Sequence, residues 1–227
     1  MARTLWRLLR NLLLSWLLLT GLLVLSLRFF DPPITAFMLA DKFERYGAGR
    51  DPDLSHQWVS IGQISQHLQL AVIVAEDQQF PQHWGFDWQS MMSALESNSR
   101  GNGVRGASTI SQQVAKNLFL WSGRSYFRKL LEAYFTLLIE LLWGKERILE
   151  VYLNIAEFGD GIYGAEAAAR EFFGRSAAQL GRRDSSLLAA VLPSPRRYQV
   201  NRPGAYVLER ATWIQSQMRN LGTGYLP

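Results

Sequence analysis

The sequence predicts an all-α globular body carried behind a single N-terminal transmembrane helix. Three observations lead there. An uncharged, leucine-dominated run fills residues 11–27, apolar residues then recur at steps of three and four along most of the chain, and strand signals are weak throughout. A length of 227 residues leaves room for one anchor and one domain of ordinary size, and a hydrophobic content of 48% is ample for a core.

Extended back through Leu5, Trp6, Leu8 and Leu9, the apolar run reaches roughly the 20 residues that a helix needs to cross a bilayer. Arg3, Arg7 and Arg10 flank its start, which places the N-terminus in the cytoplasm and the rest of the chain outside. A cleaved signal peptide shares the basic start and apolar middle. The length of the run and the lack of a small-x-small site before Arg28 favour an uncleaved anchor. The organisation expected is a basic tail over residues 1–10, the anchor over 11–30, a linker over 31–58 and a globular domain over 59–227. Asp31, Pro32 and Pro33 stop the first helix and open the extended linker, which Gly47, Gly49 and Pro52 punctuate.

Helices follow in order. Over residues 61–75 the stripe is Ile61, Ile64, Leu68, Val72 and Ala75. Over 124–143 it includes Phe127, Leu130, Leu131, Tyr134, Leu137, Leu138 and Leu141, and over 145–156 it is Ile148, Leu149, Tyr152 and Leu153. Two short alanine- or leucine-rich helices are expected at 165–172 and 185–192, the second closed by Pro193. The last, 204–221, ends at Gly222. The aromatic patches at 84–92 and 118–121 are expected in the core, with a lipid interface as the alternative.

The charge balance narrows the partners. A net charge of +5 and a pI near 9.7 favour nucleic acid, acidic head groups or a phosphorylated substrate. Nucleic acid does not suit a domain outside the membrane. The chain has no cysteine, which excludes disulfides and thiolate metal sites. His56, His67 and His83 lack metal-ligand spacing, so structural roles are expected for them.

Chemistry can sit in three places. Glu76 and Asp77 end an apolar helix, where carboxylates oppose the macrodipole. A partly desolvated carboxylate there gains a raised pKa suited to proton abstraction; an acidic loop cap or an ion pair with an arginine is the plainer account. Second, Ser108 or Thr109 can cap a helix whose free N–H groups suit a phosphate, with Lys116 two turns on; an ordinary capped helix fits as well. Third, Arg124, Arg128 and Glu132 share one helical face with Lys129 beside it. This is either a solvated i,i+4 pair or a positive wall for a diphosphate. Together they suit a sugar diphosphate donor, whose anionic leaving group needs cations or a metal while the attacking hydroxyl needs one base.

Five blocks of the chain look like motifs of the family 51 glycosyltransferases: Glu76 to Gly85, Gly106 to Gln113, Arg124 to Glu132, Lys145 to Asn154, and Leu187 to Pro193. They fall in family order across residues 59–195. The stretch from Asn154 to Gly161 further resembles the stand-alone, monofunctional branch. The resemblance implies a lysozyme-like α fold and polymerisation of lipid II into β-1,4 glycan with inversion and release of undecaprenyl diphosphate. It implies Glu76 as general base and Glu132 as second essential acid. Lys116, Arg124, Arg128 and Lys129 would contact the diphosphate, and Ser108, Gln112 and Gln113 would line the groove. Lys145 to Asn154 would serve mainly as scaffold. The cofactor implied is a divalent metal, Mg²⁺ or similar, with ligands unknown. Implied partners are lipid II, the growing lipid-linked glycan and the membrane, with room for division or elongation proteins. Ser111 stands where threonine is common, and Asp184, Ser185 and Ser186 replace a usual Glu-Ala-Ala. No Ser-x-x-Lys or Lys-Thr-Gly occurs, so crosslinking is not expected. A lytic muramidase has no evident use for the cations, and a non-catalytic envelope scaffold has none for two placed glutamates.

Overall fold

The computed structural model describes residues 2–99, 108–123 and 125–227. It is helical, as the sequence predicts. Helix α1 (Ala2–Ser26) is the long apolar one, and the only helix among the described residues long and apolar enough to cross a membrane. Its side chains from Arg3 to Leu19 are exposed. Its C-terminal half lies against a later helix, α6 (Tyr126–Leu142). Trp16 stacks on Tyr134 with ring centroids 4.8 Å apart, Thr20 Oγ1 and Tyr134 Oη are 2.7 Å apart, and Trp143 Nε1 donates to the Val24 carbonyl at 2.8 Å.

The exit from α1 is clamped. Arg147 donates to the carbonyls of Leu27 and Phe30 at 3.0 Å each, and pairs with Asp31 at 2.9 Å and with Glu150. Arg28 donates to the Leu142 carbonyl at 2.8 Å.

Where the sequence reads as an extended linker, the structure has a helix, α2 (Ala36–Gly47), N-capped by Thr35. Its buried face consists of Met38, Asp41 and Arg45. Asp41 pairs with Arg45 at 3.2 Å and Arg196 at 2.9 Å, and accepts from Tyr163 Oη at 3.0 Å. The remainder of that segment supplies β1 (Ser55–His56), which pairs parallel with β3 (Ile162–Tyr163); β3 pairs antiparallel with β2 (Glu157–Gly159). These strands are two or three residues long and form a patch on a helical body. Asn154, fully buried, holds the segment by exchanging bonds with both backbone groups of Val59.

The core is built around α3 (Gln66–Glu76), whose residues Leu68 to Val74 are all buried. A 3-10 turn at Ile61–Gln63 precedes it, and Ser65 caps it, so the predicted helix over 61–75 divides into two pieces. Helices α9 (Arg182–Val191) and α10 (Ala205–Leu221) pack on α3, while α5 (Ile110–Phe119) packs on α6 and on α7 (Lys145–Ile155). Helix α8 (Ala165–Phe173) ends at Gly174 in the left-handed conformation, φ +64°. Of the 118–121 patch, Leu118 and Leu120 are buried and Trp121 is exposed. The 84–92 patch departs from expectation. Trp84, Trp88 and Met92 are exposed, because this segment and α4 (Trp88–Ser99) form a rim through Asp87 and Ser90 rather than an inner layer.

Candidate active site

Glu76 is the last residue of α3, at the edge of a cavity of about 310 Å³ lined by Asp77, Ser108, Thr109, Asp87 and Trp213 among others. The carboxylate is half-buried, and burial pushes its pKa above the ordinary glutamate range. Three influences pull the other way: a 2.9 Å hydrogen bond from Gln113 Nε2, and the positive charges of Arg210 and Lys116. Asp77 adds to the rise by repulsion.

The unfavourable placement of two acids at a helix C-terminus has a local offset. Asp77 is buried and faces the start of α5, where the Ile110 N–H donates to its Oδ2 at 2.9 Å. His83 Nε2 lies 2.9 Å from the other oxygen. One carboxylate of the pair is therefore a strut that joins α3 to α5, which leaves Glu76 as the one with an open side. Gly85 completes the joint. At φ +79° its carbonyl accepts from Thr109 Oγ1 at 2.6 Å, and a Cβ there would lie 2.7 Å from the Thr136 methyl.

Thr109 is the N-cap of α5, and it forms a capping box with Gln112. That fixes the two neighbouring glutamines differently. Gln112 is 2% exposed and its Oε1 accepts from the Thr109 N–H at 3.0 Å, so its amide is engaged in the cap and does not open on the cavity. Gln113 faces Glu76. Its Oε1 accepts from Tyr152 Oη at 3.2 Å, which turns the amide so that its NH₂ meets the carboxylate. Tyr152 is fully buried on α7, a segment otherwise read as scaffold. Ser108 is exposed on the cavity wall, and Ser111 is buried with its hydroxyl on Glu140.

The cations gather around Glu132, which is 2% exposed on α6. Arg128 Nη1 donates to Oε2 at 2.9 Å and Lys129 Nζ to Oε1. Arg128 is further steadied by the Gly123 carbonyl at 2.7 Å, and a hollow of about 390 Å³ opens beside Ser125, Tyr126, Arg128 and Lys129. Lys116 is the link between the two halves. Burial lowers its pKa, Glu132 and Glu76 both oppose that fall, and Arg128 and Lys129 reinforce it. One ammonium thus feels both glutamates and both neighbouring cations. Arg124 lies outside the described residues, as do residues 100–107.

The divalent ion implied by the resemblance finds no cage among the described residues. Among the described residues no group of three or more His, Asp or Glu could hold one, and both oxygens of Glu132 already accept from cations. Arg210 and Trp213 on α10 were not legible in the sequence as site residues, because they fall outside every motif block and carry no spacing signal.

A partly desolvated carboxylate and a fixed cluster of cations, on a helical body behind an apolar helix, suit a glycosyl-transferring enzyme. The chain belongs to the transglycosylase family: the family model described as "Transglycosylase" matches residues 45–219. It is similar to the "Biosynthetic peptidoglycan transglycosylase" of Xanthomonas campestris pv. campestris (strain B100), 59% identical over 205 residues that cover 89% of this chain and 83% of that protein. The proteins of the same description from Ectopseudomonas mendocina (strain ymp) and Pseudomonas fluorescens (strain SBW25) are 57% and 53% identical; they cover 98% and 100% of this chain, and it covers 92% and 95% of them.

Proposed function

We propose that the protein is a peptidoglycan glycosyltransferase that joins lipid II units into β-1,4 glycan. The observation that carries this reading is a carboxylate with a raised pKa, Glu76, electrically linked through Lys116 to the cations around Glu132. In the step proposed, the acceptor 4-hydroxyl gives its proton to Glu76 as its oxygen attacks C1 of the α-linked donor from the opposite face. The C1–O bond to the diphosphate breaks, the configuration inverts, and undecaprenyl diphosphate leaves as an anion. Lys116, Arg128 and Lys129 face that developing charge, so no general acid is required. Buried Glu132 holds Arg128 and Lys129 in place and acts as a positioning residue. A divalent cation, where it takes part, arrives on the diphosphate of the substrate.

The same reading takes α1 as a single-pass anchor with the domain on the extracytoplasmic side, supported by Arg3, Arg7 and Arg10 at its start. Polymerisation of lipid II by purified full-length protein is the direct test, with moenomycin, an inhibitor of this family, as a second readout. Glu76→Gln is expected to abolish polymer at unchanged fold; normal turnover in that variant would remove Glu76 from the mechanism.

A further inference from the structure

The cavity at Glu76 has a neighbour. Trp213 also lines an adjoining hollow of about 320 Å³, whose other walls are Tyr206, Glu209 and Arg210. Tyr206, Arg210 and Trp213 follow at steps of four and three, so they share one face of α10. The two rings are two turns apart, about 10 Å along the axis. That is close to the length of a β-1,4-linked disaccharide.

Both rings are held toward solvent, at 46% and 44% exposure, yet each is stiffened from behind. Tyr206 stacks on Tyr198 with centroids 4.8 Å apart, and the Arg210 guanidinium sits 5.9 Å from the Trp213 ring. Arg210 also donates to the Ala75 carbonyl at 2.9 Å, which ties this face to the last turn of α3 beside Glu76. Glu76 therefore stands between α5, with Lys116, and this face of α10.

We propose that the Tyr206–Trp213 face is a saccharide subsite, which stacks successive pyranose rings of the glycan strand on the side of Glu76 away from the cations. A pyranose offers one apolar face of C–H groups and a rim of hydroxyls. Two flat rings suit the face, and the carboxylate of Glu209 with the guanidinium of Arg210 suits the rim. The partner is a polymer that repeats every disaccharide, so a periodic pair of platforms retains it while it slides by one repeat. This proposal rests on the polymerase reading and extends it.

The test uses full-length protein in detergent and lipid-free β-1,4 cell-wall glycan oligomers, with and without stem peptides, titrated calorimetrically. Product length from lipid II is read on gels in parallel. Peptide-free oligomers are expected to bind. Trp213→Ala and Tyr206→Ala should each weaken that binding by about fivefold or more and shorten the product, while Trp213→Phe retains most of both. Unchanged affinity in both alanine variants would overturn the proposal. Binding that requires the stem peptide would also overturn it, as would slower synthesis of product of undiminished length. If the wild type makes no polymer, the reading of function fails, and the oligomer titration still decides the subsite.

Discussion

At the scale of single residues, the balance on Glu76 sets the pH dependence of the reaction proposed. Burial raises its pKa and the Gln113 amide is the first influence that lowers it. Gln113→Ala should therefore raise it further, so the acid limb of the kcat/KM profile moves to higher pH and the rate at neutral pH falls. An unmoved limb would leave Gln113 a substrate contact only. Tyr152→Phe should move the same limb in the same direction by a smaller amount, since the amide loses the bond that orients it. Stability follows with its own sign. A carboxyl whose folded pKa is raised costs the fold stability as pH rises from the ordinary glutamate range through that folded pKa, and the loss is complete above it. Glu76→Gln should then raise the melting temperature at neutral and alkaline pH, with the difference gone below the ordinary glutamate range. For the donor side, Lys116→Ala is expected to lower kcat/KM by about 10- to 100-fold, the scale of a charge-assisted contact. Much of this was legible from sequence. Two acids at the end of an apolar helix marked Glu76, and steps of four marked Arg128 and Glu132. Gln112 and Gln113 were not separable, because successive helical residues point about 100° apart and spacing does not say which one the cap takes. Tyr152 reads as core from its periodicity, and its hydroxyl direction has no sequence signal.

Among the elements, α2 shows why a helix can hide. Periodicity searches for an apolar stripe, and the buried stripe of α2 contains Asp41 and Arg45, while glycine and proline nearby read as linker. Its inward face is polar because Asp41 meets Arg45, Arg196 and Tyr163 there. Removing one partner of such a set strands the others. Asp41→Ala should cost about 3 kcal/mol in urea unfolding; a loss below about 0.5 kcal/mol would make the network a surface pairing. Gly85 offers a second check. At φ +79°, with Thr136 in the way of a Cβ, Gly85→Ala should destabilise by more than about 1 kcal/mol and loosen the joint between α3 and α5. Helix α3 was foreseen with one apolar stripe, yet it is buried on all sides, and only its central position explains why. The rim at Trp84 and Trp88 reversed an expectation for a related reason: aromatic content indicates burial on average and says nothing of which layer a segment joins.

For the whole molecule, α1 is part of the packed body over its second half. Val24 and Trp143 are buried, the first fully, and α6 runs back along α1 from Trp143 at Val24 to Tyr134 at Trp16 and Thr20. Deleting residues 1–27 should uncover that surface. The truncated protein is expected to self-associate without detergent and to melt several degrees lower, as size exclusion and thermal unfolding would report. A monodisperse fragment with the full-length melting temperature would mean that the contact adds nothing. The helical class and the order of the helices with an apolar stripe were readable in the sequence; this lateral docking was not, because an apolar helix looks alike whether lipid or protein covers it.

The Arg147 clamp has a mechanical corollary. With the guanidinium seated on Leu27, Phe30 and Asp31, the stalk is fastened where it meets the head. In the reaction proposed above, a head fastened at that joint keeps one orientation to its stalk, and the lengthening strand is the part that moves.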